Sequence, residues 1–292
     1  EKFLKFCKFP VVVKADGLAA GKGVTICQNK KKVLKISDEI FKGKFKSSKK
    51  IVLEEFLEGE EASYFLIVDK YDYKFFGSAQ DHKRVRENDK GPNTGGMGAY
   101  SPAPIISKEI EKKILNKIVK PTLKELKKIK KAYKGFLYVG LMIKNSEPFL
   151  IEYNVRMGDP ECQTILPLLK TDLIDVFNAC CNQELDNLNI EWKEEKSLCI
   201  VLCSKGYPEN FINNIKIDNL NKLKLTSNDF IFHAGTKEEK NEILSNGGRV
   251  LNFVSLSSSF KVSRKKAIKL INQLNWKNGF FRKDIGFKII DK

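Results

Sequence analysis

Three stretches of the sequence carry residue types suited to phosphoryl chemistry. In Lys14-Ala15-Asp16-Gly17-Leu18-Ala19-Ala20-Gly21-Lys22-Gly23-Val24, one lysine closes a β-branched run and a second lies between glycines in the loop that follows. Glycines let backbone N–H groups approach phosphate oxygens, and a lysine at each end opposes the charge that develops in phosphoryl transfer. The stretch is not a Walker A loop, which would need Gly at position 16, here Asp, and Ser or Thr at position 23, here Gly. A Gly-rich hairpin turn with no ligand chemistry is an equal reading of the same residues.

In Ile151-Glu152-Tyr153-Asn154-Val155-Arg156, strand alternation places Glu152 and Asn154 on one face, where their oxygens could hold a hard cation such as Mg²⁺. The solvent face of an edge strand would show the same pattern. Asp159 and Glu161 follow closely as further oxygen ligands or substrate contacts. The third stretch runs from Gln80-Asp81-His82-Lys83-Arg84 to Gly91-Pro92-Asn93-Thr94-Gly95-Gly96-Met97-Gly98, combining mixed charge with four glycines. A polar loop of this length inside a domain, with turn chemistry such as Pro-Asn and Gly-Gly, reads as a mobile ligand-closing element. His82 is a lone histidine and is read as structural or exposed, without an acid/base role.

The elements that must position these stretches are legible from periodicity. Residues 1–10 look like the end of an amphipathic helix entering a strand, so part of the domain is expected upstream. Pro10 to Lys14 and Gly23 to Cys27 read as a hairpin with a helix over it from Lys30 to Phe41. Strands are expected at Ile51 to Phe56, Ser63 to Val68 and Lys74 to Ser78, followed by a loop from Gln80 to Ala99. Ser107 can cap a helix whose Ile110, Ile114 and Ile118 repeat at i, i+4, i+8, with Pro121 kinking or interrupting it. Phe136 to Lys144 and Pro148 to Asn154 read as a second hairpin, with a helix from Thr171 to Asn182 after it. Past a boundary near Asn187, strands at Ser197 to Cys203, Phe230 to Ala234 and Arg249 to Val254 and a helix from Ser263 to Leu274 suggest a small α/β unit.

The chain has 292 residues, 42% of them hydrophobic, enough for at least one large core and one to three domains. No apolar run approaches the ~20 residues that cross a bilayer, and Glu1 to Phe6 carries no signal-peptide pattern, so a cytoplasmic location is the expectation. Seven cysteines without a CxxC pair support neither a disulfide framework nor a zinc site. A formal charge of +17 could suit nucleic acid, a membrane surface or acidic small substrates. The lysines are spread over helices and turns, with no recognition-helix motif and no aromatic pairs spaced for base stacking. No nucleic-acid or membrane partner is therefore expected.

The three stretches, in this order and spacing, resemble the ATP-grasp superfamily, in which two α+β subdomains close on ATP. Lys14 to Val24, Glu54-Glu55-Phe56-Leu57, Gly59 to Ser63, Gln80 to Arg84, Gly91 to Pro102 and Gly158-Asp159-Pro160-Glu161 further resemble the signatures of the phosphoribosylamine–glycine ligase family. So do Gly206-Tyr207-Pro208, His233 to Lys237 and Asn246 to Val250. The resemblance spans essentially the whole chain. It implies an α+β fold, with an ATP-grasp domain of two α+β subdomains over residues 1–186 and a small α/β C-terminal domain over 187–292. It also implies that the chain starts after the Rossmann-like domain with which the family begins.

Carried over by resemblance, Lys14 and Gly21-Lys22-Gly23 would hold ATP phosphates, Glu54 and the backbone of Glu55 to Leu57 would meet adenine, and Glu61 the ribose hydroxyls. Glu152 and Asn154 would bind Mg²⁺ or Mn²⁺, with Arg156 near the phosphates. Asp81, Lys83, Asn93, Thr94 and Asp159 would lie near glycine or 5-phosphoribosylamine. The implied reaction makes glycyl phosphate, which the amine of 5-phosphoribosylamine then attacks, in purine biosynthesis. A monomer is the expected state.

Overall fold

The structure is a computed structural model, described here for residues 3–17, 19, 23–45, 48–70, 72–274 and 276–290. The chain divides into two compact units, Glu1–Gly59 and Glu60–Lys292. In the first, strands β1 (Val11–Ala15), β2 (Val24–Cys27) and β3 (Ile51–Glu55) form an antiparallel sheet in the order β2-β1-β3. Helix α1 (Lys30–Glu39) starts where the Asn29 side chain accepts the Lys32 N–H, and a π-helical turn extends it over Ile40–Lys44. Val11 and Val13 point into a core with Val33 and Ile40 of the helix. Strand alternation therefore turns Val12 and Lys14 to the opposite face. Among the described residues of the N-terminal segment, where the sequence suggests the end of an amphipathic helix, the helical element is a short 3-10 turn, Phe3–Lys5.

The second unit is built on a nine-stranded antiparallel sheet. Its strands β4 (Glu60–Asp69), β5 (Tyr73–Asp81), β8 (Gly98–Ser101), β9 (Lys134–Lys144), β10 (Glu147–Asn154), β11 (Lys196–Ser204), β12 (Asp229–His233) and β15 (Arg249–Ser257) run in the order β10-β9-β4-β5-β8-β11-β15-β12, and β16 (Gly279–Phe280) pairs with β11. Two hairpins stand apart from it, β6 (Arg84–Arg86) with β7 (Lys90–Asn93) and β13 (Thr236–Glu239) with β14 (Glu242–Ser245). Strand β4 is buried on both faces, which explains its unbroken apolar run. Ala62, Tyr64, Leu66 and Val68 pack under Ile110, Ile114 and Ile118. Phe65 and Ile67 face Val176 and Cys180 on the other side.

The helices follow their sequence signals closely. Ser107 caps α2 (Lys108–Ile114), and Pro121 does not interrupt the helix, because a π-helical turn over Leu115–Val119 leads into α3 (Lys120–Lys128). Pro121, which has no N–H to donate, stands in the first turn of α3, directly after the Lys120 N–H has reached back to the Leu115 carbonyl. Helices α4 (Glu161–Ile165) and α5 (Leu173–Asn182) cover the second face, with Asp172 capping α5, and α6 (Phe260–Leu274) covers β11 and β15.

The segment from Gln80 to Ala99 is not a free loop: it contains the β6–β7 hairpin and leads into β8, with Val85 and Met97 buried. Past the position near Asn187, β8 pairs with β11, so one sheet continues into the C-terminal strands.

The hairpin is held from the far end of the chain. Arg282, 1% exposed, donates to both oxygens of Asp284 at 2.8 and 2.7 Å, to Asp89 at 2.8 Å and to the Arg84 carbonyl at 3.0 Å. Burial alone would raise the Asp284 pKa, but the hydrogen bonds from Arg282 outweigh it and hold it below the ordinary value. Nearby, His82 is 2% exposed and its Nε2 accepts the Gly286 N–H at 3.1 Å. Burial, then the positive charge of Arg282, pushes its pKa down to about 4.

Removing one partner of a buried ion network strands the others. Arg282→Ala should therefore cost about 3–5 kcal/mol in urea unfolding. Between pH 6.5 and 4 the unfolded His82 binds a proton that the native ring refuses, so stability falls as pH drops, by about 3 kcal/mol from this group. His82→Gln should flatten the dependence of the urea midpoint on pH across that window; an unchanged slope would remove His82 as its source.

Candidate active site

Strand register assembles an acidic face on the second unit. Glu152 pairs with Gly140, Gly140 with Ser63 and Ser63 with Ala79, so these residues form one row on one side of the sheet. Asn154 pairs with Tyr138 in the next row, and its Nδ2 donates to Glu152 Oε1 at 3.0 Å. A Cβ at Gly140 would sit 3.2 Å from Glu152 Cγ, so glycine there gives the Glu152 side chain its place across the strand. Glu61 lies two residues before Ser63 and shares its face, and its carboxylate is ion-paired with Lys83. A small concavity is lined by Glu61, Ser63, Asp81, Lys83, Tyr138 and Glu152.

Beneath it runs a buried polar network. Ser63 Oγ donates to Tyr138 Oη at 2.8 Å and lies 3.2 Å from Glu161 Oε1, which also accepts from Tyr138 Oη at 3.2 Å. Glu161 is buried, and Gly158 lacks the Cβ that would overlap its carboxylate. Asp81 Oδ1 is covered and without a hydrogen-bond partner among the described residues. Burial, then the neighbouring Glu161 carboxylate, lifts the Asp81 pKa well above the ordinary value. Burial alone would lower the Lys83 pKa, but Glu61, Asp81 and Glu152 together raise it, so Lys83 stays an ammonium at neutral pH. Such a face attracts cations.

The glycine stretch forms a braced wall beside these groups. Thr94 donates through both its N–H and its hydroxyl to the Lys83 carbonyl, and its Oγ1 accepts the Gly96 N–H at 3.0 Å. Met97 N–H donates to the His82 carbonyl at 2.9 Å. Gly96 has φ +115°, and a Cβ there would lie 2.5 Å from Pro160 Cδ and 2.9 Å from Asp81 Oδ1. Asn93 is exposed at the end of β7, paired with Arg84. Asp159 has both oxygens engaged, Oδ1 by Gln163 at 3.0 Å and Oδ2 by Arg249 at 3.0 Å. Arg156 is exposed, with Nη1 donating to the Met157 carbonyl at 2.9 Å.

In the first unit, Lys14 on β1 is ion-paired with Glu54 on β3 at 2.6 Å, on the sheet face that exposes Val24 and Val52. Glu55 ends β3, and Phe56 and Leu57 follow it, half-buried. Gly23 leaves no room for a Cβ beside Ala19. Gly21 and Lys22 lie outside the described residues.

Residues 1–162 match the family profile "Phosphoribosylglycinamide synthetase, ATP-grasp (A) domain", and residues 197–288 match "Phosphoribosylglycinamide synthetase, C domain". The chain belongs to the phosphoribosylglycinamide synthetase (phosphoribosylamine–glycine ligase) family. It is 42% identical over 284 residues to phosphoribosylamine–glycine ligase of Brucella melitensis, covering 97% of this chain and 66% of that protein. It is also 42% identical to the chloroplastic enzyme of Arabidopsis thaliana, with 96% and 54% covered. The crystal structure of the Thermotoga maritima phosphoribosylamine–glycine ligase superposes with a TM-score of 0.84 at 32% identity, covering 97% of this chain and 71% of that one. A biotin carboxylase–β,γ-ATP complex from Campylobacter jejuni, at 14% identity and a TM-score of 0.68, shares the fold. The chain thus spans about two thirds of the length of the bacterial relatives it matches.

Sequence reasoning gave no role to Tyr138, Tyr207 and Arg249. The Gly206-Tyr207-Pro208 and Asn246 to Val250 motifs contain two of them, and the adjoining glycines were the available signal: a Cβ at Gly248 would run into the Tyr207 ring. Gly96→Ala combines left-handed strain with a blocked Cβ and should destabilise the second unit by about 2–4 kcal/mol in denaturant unfolding. A loss below about 0.5 kcal/mol, the scale of an ordinary surface change, would mean that the wall yields.

Proposed function

We propose that this chain carries the ATP-dependent joining of glycine to 5-phosphoribosylamine, with Mg²⁺ or Mn²⁺ held by Glu152 and Asn154. The observation that supports this best is the oxygen pair of Glu152 and Asn154 set on one sheet face beside the Lys83–Glu61 ion pair and the unpartnered Asp81 oxygen. Among the described residues no three His, Cys, Asp or Glu side chains form a ready metal cage. Two protein oxygens completed by nucleotide phosphates are the coordination that suits Mg²⁺.

On this reading the glycine carboxylate attacks the γ-phosphate to give glycyl phosphate and ADP. The amine of 5-phosphoribosylamine then displaces phosphate, giving glycinamide ribonucleotide. No protein nucleophile is needed; positioning and charge stabilisation carry the reaction. Lys14, with Gly21, Lys22 and Gly23 in the loop after it, offers charge to phosphate oxygens, and Arg156 is a second such charge; Glu54 to Leu57 and Glu61 take the nucleoside. Lys83, kept protonated, acts as a charge and donor rather than a base. Asp81 and its acidic neighbours suit the ammonium of glycine, with Asn93, Thr94 and Asp159 lining the same region. The enzyme acts as a cytoplasmic monomer.

The test is ADP release with glycine and 5-phosphoribosylamine both present, alongside Mg²⁺-dependent nucleotide binding by calorimetry. Glu152→Gln should lower Mg²⁺-dependent turnover on the order of 100-fold, the cost of losing one preorganised charge-stabilising group. Equal ADP release with other amino acids would redirect the assignment to a different carboxylate–amine ligase. Unchanged metal dependence in the variant would overturn the Glu152 role.

A further inference from the structure

Arg249 begins β15, far in sequence from every residue assigned above, yet its guanidinium gathers two separate pieces of the candidate site. Nη1 donates to the Gly95 carbonyl at 2.7 Å and to the Asp159 carbonyl at 2.8 Å, and Nη2 pairs with Asp159 Oδ2 at 3.0 Å. The side chain is only 21% exposed. Tyr207 completes the grip by accepting the Gly95 N–H at 3.0 Å. Gly95 is therefore held through both its backbone groups by the C-terminal part of the chain. The approach is close: a Cβ at Gly95 would lie 3.0 Å from the guanidinium carbon, and Gly248 leaves the Tyr207 ring its space.

We infer that Arg249 is a positioning residue for the acceptor end of the site, fixing the Gly95-Gly96 wall against the Asp159 turn. A planar guanidinium can serve two carbonyls and a carboxylate at once; an ammonium is a point charge and cannot hold all three in register. Asp159, with its oxygens taken by Gln163 and Arg249, acts as a strut in this arrangement. Gly96 in turn packs against Asp81 Oδ1, so a shift of the wall is transmitted to the carboxylate proposed to meet glycine. The kinetic part of this inference rests on the ligase reading, whereas its structural part does not.

Arg249→Lys keeps the charge and removes the fork. Amide hydrogen exchange at Gly95, Gly96 and Met97 should rise about 10- to 100-fold, the equivalent of one or two charged hydrogen bonds, with exchange in β11 and β12 unchanged. Tyr207→Phe, which removes a single hydroxyl, should raise exchange at Gly95 alone. Steady-state kinetics of Arg249→Lys should show a KM for glycine or 5-phosphoribosylamine raised about tenfold or more, with the KM for ATP unchanged. Unchanged exchange at residues 95–97 overturns the inference, and so does a rise spread over the whole unit, which marks a merely structural arginine. Faster local exchange with equal loss for all three substrates overturns its link to the acceptor end. If the unsubstituted chain lacks glycine-dependent turnover, the ligase reading fails while the exchange measurement still decides whether Arg249 holds the wall.

Discussion

Strand β8 is four residues long, yet it pairs with β5 on one side and β11 on the other, so a single sheet extends from the Glu152 strand to the C-terminal strands. The pairing requires an approach that no side chain would permit at residue 98: a Cβ there would lie 2.5 Å from the Cys199 carbonyl and 2.8 Å from Ile285. Asp81 pairs with Ala99, and Ala99 with Cys199, while Ala79, two residues before Asp81 on the same face, pairs with Ser63. A slip of β5 by one residue against β4 would turn Asp81 to the opposite face and dissolve the concavity. The acidic site and the C-terminal strands that brace it depend on the same short strand.

Local charge around the site runs against the composition. The chain as a whole carries +17, but Glu61, Asp81, Glu152 and Glu161 gather near one ammonium, Lys83. The excess of lysine belongs to solvated faces such as Lys120, Lys124, Lys127 and Lys128 on α3. Net charge describes solubility and long-range attraction, while chemistry answers to the field at the site. Here that field is relieved in part internally, by the hydroxyls of Ser63 and Tyr138 on Glu161 and by the reluctance of Asp81 to ionise. A cation on this face would relieve the remainder, and its binding would be coupled to the protonation of Asp81.

Periodic elements were legible in the sequence because their signal is local. The β-branched runs, the Ile110–Ile114–Ile118 stripe and the Ser107 cap each reappear as read, as does the Glu152–Asn154 face. The braced character of residues 80–99 was not legible. Its charged and glycine-rich residues carry no apolar period, and its order comes from Arg249, Tyr207, Arg282 and Gly286, more than a hundred positions away. For the same reason His82 reads as an unremarkable lone histidine, although it is buried between the Tyr100 and Phe287 rings. Pro121 marks an irregularity of the helix, a π-helical turn directly before it, after which α3 continues.

This division bears on what glycine is for in the wall. A run such as Gly91 to Gly98 suggests freedom, but at Gly95, Gly96 and Gly98 the missing Cβ serves close contact with Arg249, Pro160 and the β11 backbone, and the amides of Gly95 and Gly96 are already engaged. Flexibility belongs to the unfolded chain; in the folded unit these glycines permit density. On the ligase reading that is the useful property, because an acyl phosphate must be shielded from water by walls that keep their shape while substrates arrive. Rigidity here is a tertiary property supplied by distant residues, so the stiffness of the wall is set as much by the C-terminal strands as by the glycine stretch itself.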